Sequence, residues 1–203
     1  TSSGSISLDD GTTVDDALSI SADSTGNILL DSIADITVGA GLTSGTGNLT
    51  LEADGDILLT TTESTLSTTG TGTILVEADS ETNGTGLLSM VSGSSATTVG
   101  GDILLSAGES ITIGVLDAST GNIGLVAGTD ILDADGDTVT DDAAGADLGF
   151  ANPTGSVRVE NLIANAVRLE AGGDIGSAGN PIDSLVSTLS SSAGGNFYLF
   201  ESD

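Results

Sequence analysis

The sequence predicts an all-β fold, a parallel β-solenoid of about nine turns with roughly 20 residues in each. The first observation is a motif that starts with Gly and Asn or Asp, continues with alternating aliphatic residues, and ends at an Ile. Copies lie at residues 26–36, 47–57, 101–111, 121–131 and, with altered first residues, 165–175. The second observation is that apolar and polar residues alternate inside each copy, as in a strand with one buried face. The third is that stretches rich in Gly, Asp, Ser and Thr separate the copies, as is typical of turns.

Copy 47–57 illustrates what each repeat should build. Side chains alternate between the two faces of a strand, so Leu49, Leu51 and Ala53 should point inward and Thr50 outward. After a corner, Ile57 should point inward again from a second short strand. A third segment, rich in Ser, Thr and Gly, must return the chain to the next copy. Stacked copies would place like residues about 4.8 Å apart, and the corner glycines are expected to supply positive φ angles.

Two parts of the chain depart from the motif. Residues 72–78 keep the first strand but lack the second, and residues 86–90 match more weakly. Between residues 132 and 153 the motif gives way to acidic and small residues, which we interpret as a loop insertion. Residues 1–203 otherwise form a single solenoid segment. The chain starts without Met inside patterned sequence, and a further copy begins at Gly195, so we expect flanking repeats of a longer polypeptide on both sides.

The charge balance excludes several classes of partner. The chain has 30 acidic residues, two Arg, no Lys and no His, for a formal net charge of −28. Nucleic-acid binding needs a basic footprint that this sequence lacks, and an anionic membrane surface would repel it. No apolar run reaches the ~18 residues of a transmembrane helix, so membrane insertion is not expected. Arg158 and Arg168 should point outward, each on the same face as the Glu two residues later, Glu160 or Glu170. We favour two solvated surface pairs, and Arg beside Glu on neighbouring strands is the alternative.

A calcium site is the first candidate site. Asp133, Asp135 and Asp137 stand at alternate positions, and Gly136 between the last two permits a sharp bend. Carboxylate oxygens are the hard ligands that Ca²⁺ prefers. The spacing does not match an EF-hand loop, and a solvated acidic loop is the alternative interpretation. Calcium is therefore a possible cofactor, with these three aspartates as its ligands.

Four further aspartates occupy one position of the repeat, directly before its last Ile: Asp35, Asp56, Asp130 and Asp174. Stacking would align them along one edge, where they could form a cation-binding or catalytic row. A polysaccharide-acting enzyme on a β-helix needs carboxylates that converge in this way. The alternative is that each aspartate accepts a hydrogen bond from the backbone of its own turn. We favour the alternative and expect no catalytic residues.

An apolar stripe is the last candidate surface. Leu58, Leu75 and Leu104 are expected to point outward from one position of the repeat, the one that Thr50 occupies. An aligned stripe of this kind could pack against a partner, a neighbouring subunit or the insertion.

Three stretches, residues 47–51, 173–182 and 195–201, resemble the repeats of filamentous-haemagglutinin-like proteins, which are very large bacterial surface and secreted proteins. The resemblance covers most of the chain outside residues 132–153. It implies a right-handed parallel β-helix, a location at the cell surface or outside the cell, and a role in adhesion or extracellular structure. It implies no catalytic residues.

The expected function is therefore a structural and adhesive rod segment of a cell-surface or extracellular filament protein, and not an enzyme. A calcium-dependent binding module that uses the acidic loop is the second hypothesis, and a polysaccharide-acting enzyme is the third. The expected partners are flanking repeats of the same polypeptide, identical subunits in a filament or layer, or a surface glycan or protein.

Overall fold

Parallel strands make up the regular secondary structure of the computed structural model. It describes the backbones of residues 6–9, 13–14 and 20–22, and all of residues 25–135 and 160–202. Within these ranges there is no helix, which confirms the all-β prediction.

Most of the strands are short and closely spaced along the chain, and the strands Leu162–Ala171 and Ile182–Ala193 are the two long ones. In chain order they are β1 (Ile6–Asp9), β2 (Thr13–Val14), β3 (Ile20–Ala22), β4 (Ile28–Ser32), β5 (Ile36–Val38), β6 (Leu42–Ser44), β7 (Leu49–Ala53), β8 (Ile57–Leu59), β9 (Thr65–Thr68), β10 (Ile74–Ala78), β11 (Leu88–Met90), β12 (Ser95–Thr98), β13 (Ile103–Ala107), β14 (Ile111–Ile113), β15 (Val115–Asp117), β16 (Asn122–Ala127), β17 (Ile131–Asp133), β18 (Leu162–Ala171), β19 (Ile182–Ala193) and β20 (Leu199–Glu201).

Each repeat contributes strands to three series, and every strand pairs with its equivalents in the adjacent repeats. The first series runs β1-β4-β7-β10-β13-β16-β18, the second β2-β5-β8-β11-β14-β17, and the third β3-β6-β9-β12-β15-β18. The second series forms a sheet of its own. The long strand β18 belongs to both other series, because its start pairs with β15 and the rest with β16. The predicted third segment is therefore itself a strand.

The core consists of columns of like residues, because the pairing is in register. One inward column of the first series contains Ile28, Leu49, Ile74, Ile103, Ile123 and Val167. Leu49, Leu51, Ala53 and Ile57 are all fully buried, as the alternation predicted. A strand buried on only one face needs such a column from its neighbours, since one repeat cannot enclose its own apolar side.

The middle repeat keeps its second strand, and the prediction that it lacks one is wrong. Strand β11 pairs with β8 and with β14, so Leu88 lies between Ile57 and Ile111. Residues 79–87 form a loop that separates this strand from β10. The loop shifts the second strand along the sequence without removing it from the sheet.

The corner glycines are required by stacking, and the prediction of positive φ angles at these positions is wrong. A Cβ on Gly121 would lie 1.9 Å from the carbonyl oxygen of Gly101, and one on Gly101 would lie 2.1 Å from that of Gly72. Among the described glycines, positive φ angles occur at Gly84, Gly93 and Gly176, outside the Gly-Asn/Asp pairs. The motif glycine thus leaves room for the backbone of the preceding repeat.

The predicted insertion begins inside a strand. Leu132 and Asp133 belong to β17 and pair with Thr112 and Ile113. Most of the segment, residues 136–153, lies outside the described residues. The single segment 1–203 and the insertion bounds 132–153 stay predictions.

Candidate functional site

The aspartates before the last Ile of each repeat bind backbone, but not the backbone of their own turn. Oδ1 of Asp35 accepts the N–H of Asp56 at 2.9 Å, and Oδ1 of Asp56 accepts the N–H of Leu87 at 3.0 Å. Oδ1 of Asp130 accepts the N–H of Asp174 at 2.7 Å. Each carboxylate therefore joins one repeat to the next, and the predicted bond to the aspartate's own turn is not the one formed.

The row of aspartates is interrupted. Leu87 precedes Leu88, and Ser110 precedes Ile111, at the positions between Asp56 and Asp130. The four aspartates thus form two separate pairs. The predicted continuous row is therefore replaced by two pairs, Asp35 with Asp56 and Asp130 with Asp174, each linked by a hydrogen bond to the backbone of the next repeat.

A second ladder follows the Gly of the motif. Oδ1 of Asn27 accepts the N–H of Asn48 at 2.8 Å, and Oδ1 of Asn48 accepts the N–H of Thr73 at 3.0 Å. Asp102 accepts the N–H of Asn122 in the same way at 2.9 Å. The sequence signal for this ladder was the Asn or Asp that recurs after the Gly of the motif. Turn propensity explains such a residue within its own repeat and does not predict its hydrogen bond to the next one.

The structure describes two of the three predicted calcium ligands. Oδ1 of Asp133 accepts the backbone N–H of Asp135 at 2.8 Å and the side-chain Nδ2–H of buried Asn161 at 2.7 Å. Asp137 lies outside the described residues. Within the described ranges, no group of three His, Cys, Asp or Glu residues is placed to hold a metal ion. The calcium site stays a prediction.

The outward face of the first series carries two of the three predicted leucines. Leu75 pairs with Thr50 on one side and Leu104 on the other, and Leu104 is 43% exposed. Leu58 belongs to the second series, between Thr37 and Ser89, so its predicted place in this stripe is wrong. The column ends at Gly124, next to Leu104.

A carboxylate column lies beside this stripe, two residues further along each strand. Asp31, Glu52 and Glu77 occupy adjacent strands in register, and the column continues through Ser106 and Val126. The pKa of Glu52 is raised, mainly by partial burial and to a smaller extent by the negative charges of Asp31 and Glu77. This column was not predicted from the sequence, although its signal was the acidic residue before the small residue in copies 26–36 and 47–57.

An ion pair neutralises the next carboxylate of this column. Arg168 contacts Glu170, two residues along its own strand, and both side chains are exposed. The strand neighbours of Arg168 are Gly124 and Ser190, so the cross-strand alternative is wrong for Arg168, whereas its exposed pair with Glu170 agrees with the favoured prediction. Arg158 lies outside the described residues.

The loop after β10 is organised by one buried carboxylate. Asp79, with a φ of 69°, accepts the backbone N–H of Asn83 through Oδ1 and that of Gly84 through Oδ2, both at 2.7 Å. Ser80 donates its hydroxyl to Asp54 of the preceding repeat at 2.6 Å. The loop tip, residues 81–85, is exposed. The loop is therefore tied at its base and presents its tip to solvent.

Comparisons with known proteins do not identify a relative: no family model, no curated protein and no solved structure matches the chain. Within the described residues, no helix has the length and apolar character needed to cross a membrane.

Proposed function

We propose that the chain is a segment of a right-handed parallel β-helix, with about nine turns of roughly 20 residues and one inserted acidic loop. It serves as a rigid structural and adhesive rod in a bacterial cell-surface or extracellular filament protein, without catalysis.

The in-register pairing of equivalent strands carries this proposal. Asn27 and Asn48 are 21 residues apart, Asn48 and Thr73 are 25, and Asp102 and Asn122 are 20, yet each pair is joined by the same hydrogen bond. Such spacing is that of one solenoid turn, in which each repeat contacts only its neighbours. Side-chain ladders and close glycine contacts hold every turn to the next, which favours stiffness along the stack.

The chemistry of the side chains favours a structural role over catalysis. The sequence contains no His that would titrate near neutral pH. Asp35, Asp56 and Asp130 are committed to backbone hydrogen bonds between repeats. Carboxylates used in this way stabilise the stack and are poorly placed to act on a substrate.

The outward side of the first series supports the adhesive part of the proposal. Leu104 and Val126 are both 43% exposed; Val126 continues the column of Asp31, Glu52 and Glu77, and Leu104 lies in the column beside it. A partner protein, a surface glycan or an identical subunit could pack on this side, while flanking repeats would extend the rod at its ends.

Distances between spin labels test the rod. The chain has no Cys, so Asp31→Cys can be labelled together with Val126→Cys, Glu170→Cys or Ser192→Cys, one pair at a time. Four, five and six strand spacings separate these positions from residue 31. A straight stack predicts backbone separations of about 19, 24 and 29 Å. A separation that stops growing, as in a sheet closed into a barrel, would contradict the rod.

Surface labelling tests the location independently. Antibodies against this segment should bind intact cells of the organism that makes the protein, or filaments outside them. Binding that appears only after the cells are broken open would overturn the proposed location.

A further inference from the structure

We propose that Asn83, at the tip of the loop of residues 79–87, is an acceptor site for N-linked glycosylation. Asn83, Gly84 and Thr85 form the acceptor sequence Asn-x-Ser/Thr, in which x is not Pro. The modification requires that the loop meets a glycosyltransferase. In a rod at the cell surface this would occur during export, so the occurrence of the modification in the cell rests on the proposed function.

The geometry of the loop suits an acceptor. Glu81, Thr82, Asn83, Gly84 and Thr85 are all exposed. Gly84 adopts a φ of 84°, and a Cβ built on it would meet no atom within 4 Å, so the space around the tip is open. The carboxylate of Asp79 holds the backbone N–H groups of Asn83 and Gly84 from below. The tip is thus both fixed in shape and accessible to an enzyme.

The side chains of the acceptor sequence are already in contact. The hydroxyl of Thr85 donates to Oδ1 of Asn83, while Nδ2–H of Asn83 donates to Oε1 of Glu81 at 2.9 Å. The amide is therefore oriented by the hydroxyl that defines the acceptor sequence. Nδ2, the atom that would be glycosylated, contacts only the side chain of Glu81 among the hydrogen bonds described, and both residues are exposed.

The chain contains a matched contrast. Asn48, Leu49 and Thr50 also spell Asn-x-Thr, but Leu49 is fully buried within β7. Oδ1 of Asn48 accepts the N–H of Thr73, so its amide is part of the ladder between repeats. Alternate residues of a strand are roughly 7 Å apart, which separates the Thr50 hydroxyl from the Asn48 amide. The folded chain should therefore be modified at Asn83 and not at Asn48.

The proposed reaction uses a sugar activated as a diphosphate, supplied with its transferase. Nδ2 of Asn83 attacks the anomeric carbon and forms the new N–C bond. The bond between that carbon and the diphosphate oxygen breaks, and its electron pair leaves with the diphosphate. Nδ2 loses one proton to a base of the transferase, so the product is a neutral glycosyl amide.

Purified, folded protein should be incubated with a lipid-diphosphate-linked oligosaccharide and an oligosaccharyltransferase, then analysed by intact-mass and peptide mass spectrometry. We expect one glycan per chain, located at Asn83. Asn83→Gln and Thr85→Val should abolish the addition, whereas Thr85→Ser and Asn48→Gln should retain it. Because positions 83 and 85 lie in the exposed loop, circular dichroism should show their variants to be folded. The same measurement checks Asn48→Gln, which keeps a side-chain oxygen but alters the ladder between repeats.

An unmodified wild-type chain, or a glycan at Asn48 of the folded chain, would overturn the proposal. The spin-label distances do not depend on the glycan, so failure of the rod and failure of the acceptor site are distinguishable. The peptide that contains Asn83, isolated from protein made by its natural producer, should carry the same modification, and its absence there would count against the site.

Discussion

Oδ1 of Asp130 lies 2.7 Å from the backbone nitrogen of Asp174, a residue 44 positions later in the chain. The same bond joins Asp35 to Asp56, which are only 21 positions apart. Residues 136–159 intervene between the first pair and not the second. The side-chain ladder therefore continues past the acidic stretch, which identifies residue 174 as the next equivalent of residue 130.

We predict that Asp130→Ala lowers the free energy of unfolding by about 1 kcal/mol, because the N–H of Asp174 loses its acceptor in a partly buried setting. Asp130→Asn keeps an oxygen at the same position and should cost clearly less. Denaturant unfolding followed by circular dichroism measures both variants. Equal losses for the two would show that the hydrogen bond contributes nothing and that the charge matters instead.

Gly121→Ala should be among the most destabilising single changes in the chain. Its Cβ would lie 1.9 Å from the carbonyl oxygen of Gly101, and this contact is with backbone that cannot move aside locally. We expect a loss of more than about 3 kcal/mol in the free energy of unfolding. Gly179→Ala is the matched control, since no atom lies within 4 Å of its added Cβ. A tolerated alanine at position 121 would contradict the stacking explanation.

The alternation of apolar residues was sufficient to predict which side chains form the core. Leu49, Leu51 and Ala53 point inward because a strand with one buried face leaves no other arrangement. The role of Gly121 could not be predicted in this way. A rule about φ angles concerns a residue and its chain neighbours, whereas this glycine meets a carbonyl group 20 residues earlier.

The candidate surfaces were predicted less well for a related reason. Leu58 was assigned to the stripe of Leu75 and Leu104 because all three alternate with inward residues, but alternation does not show on which sheet a strand lies. The column of Asp31, Glu52 and Glu77 appears only when the register of three strands is known. The sequence was sufficient to predict the inward columns of the core. Which outward residues lie side by side required the register of the strands in the structure.

Replacing a leucine with alanine should destabilise the protein much more when the leucine points inward than when it points outward. Leu125 is fully buried in the core, and Leu104, on the adjacent strand, is 43% exposed. We expect Leu125→Ala to lower the free energy of unfolding by about 2–5 kcal/mol and Leu104→Ala by far less. Thermal and denaturant unfolding measure the two losses. Comparable losses would mean that Leu104 is covered in solution, for example by a second copy of the chain.

Stability should depend on pH through Glu52. Its pKa is raised by partial burial and then by Asp31 and Glu77, so the folded state resists ionisation of this group more than the unfolded state does. The folded state is therefore relatively favoured below the ordinary glutamate pKa of about 4.3. This advantage is lost as the pH rises through the raised pKa of the folded state.

Glu52→Gln should accordingly stabilise the protein at neutral pH, by roughly 0.5 kcal/mol or less because exposed charges are screened. The gain should vanish below about pH 4, where the carboxyl is protonated. Glu170→Gln is the control, because Glu170 contacts Arg168 and its loss should not stabilise. Melting temperatures measured from pH 3 to pH 8 (values that bracket the ~4.3 reference) give the comparison. A gain for Glu52→Gln that is independent of pH would exclude ionisation of Glu52, whether through its partial burial or through repulsion, as the cause.

Calcium should raise the melting temperature if Asp133, Asp135 and Asp137 bind it, as the sequence predicts. A ligand that binds only the folded state stabilises it by about 1.4 kcal/mol at ten times its dissociation constant. Asp135→Asn combined with Asp137→Asn should abolish the rise. Asp133→Asn keeps an oxygen that can accept from Asp135 and Asn161, so it should weaken binding without loosening this contact.

Magnesium at the same concentration and ionic strength separates a site from general screening. A chain with a net charge of −28 gains stability from any divalent cation that screens its self-repulsion. A calcium site adds a further rise in melting temperature that magnesium does not reproduce, because Mg²⁺ requires near-octahedral geometry and retains its waters. Equal shifts with the two ions, unchanged in the Asp135→Asn and Asp137→Asn double variant, would assign the whole effect to screening and leave the acidic segment without a site.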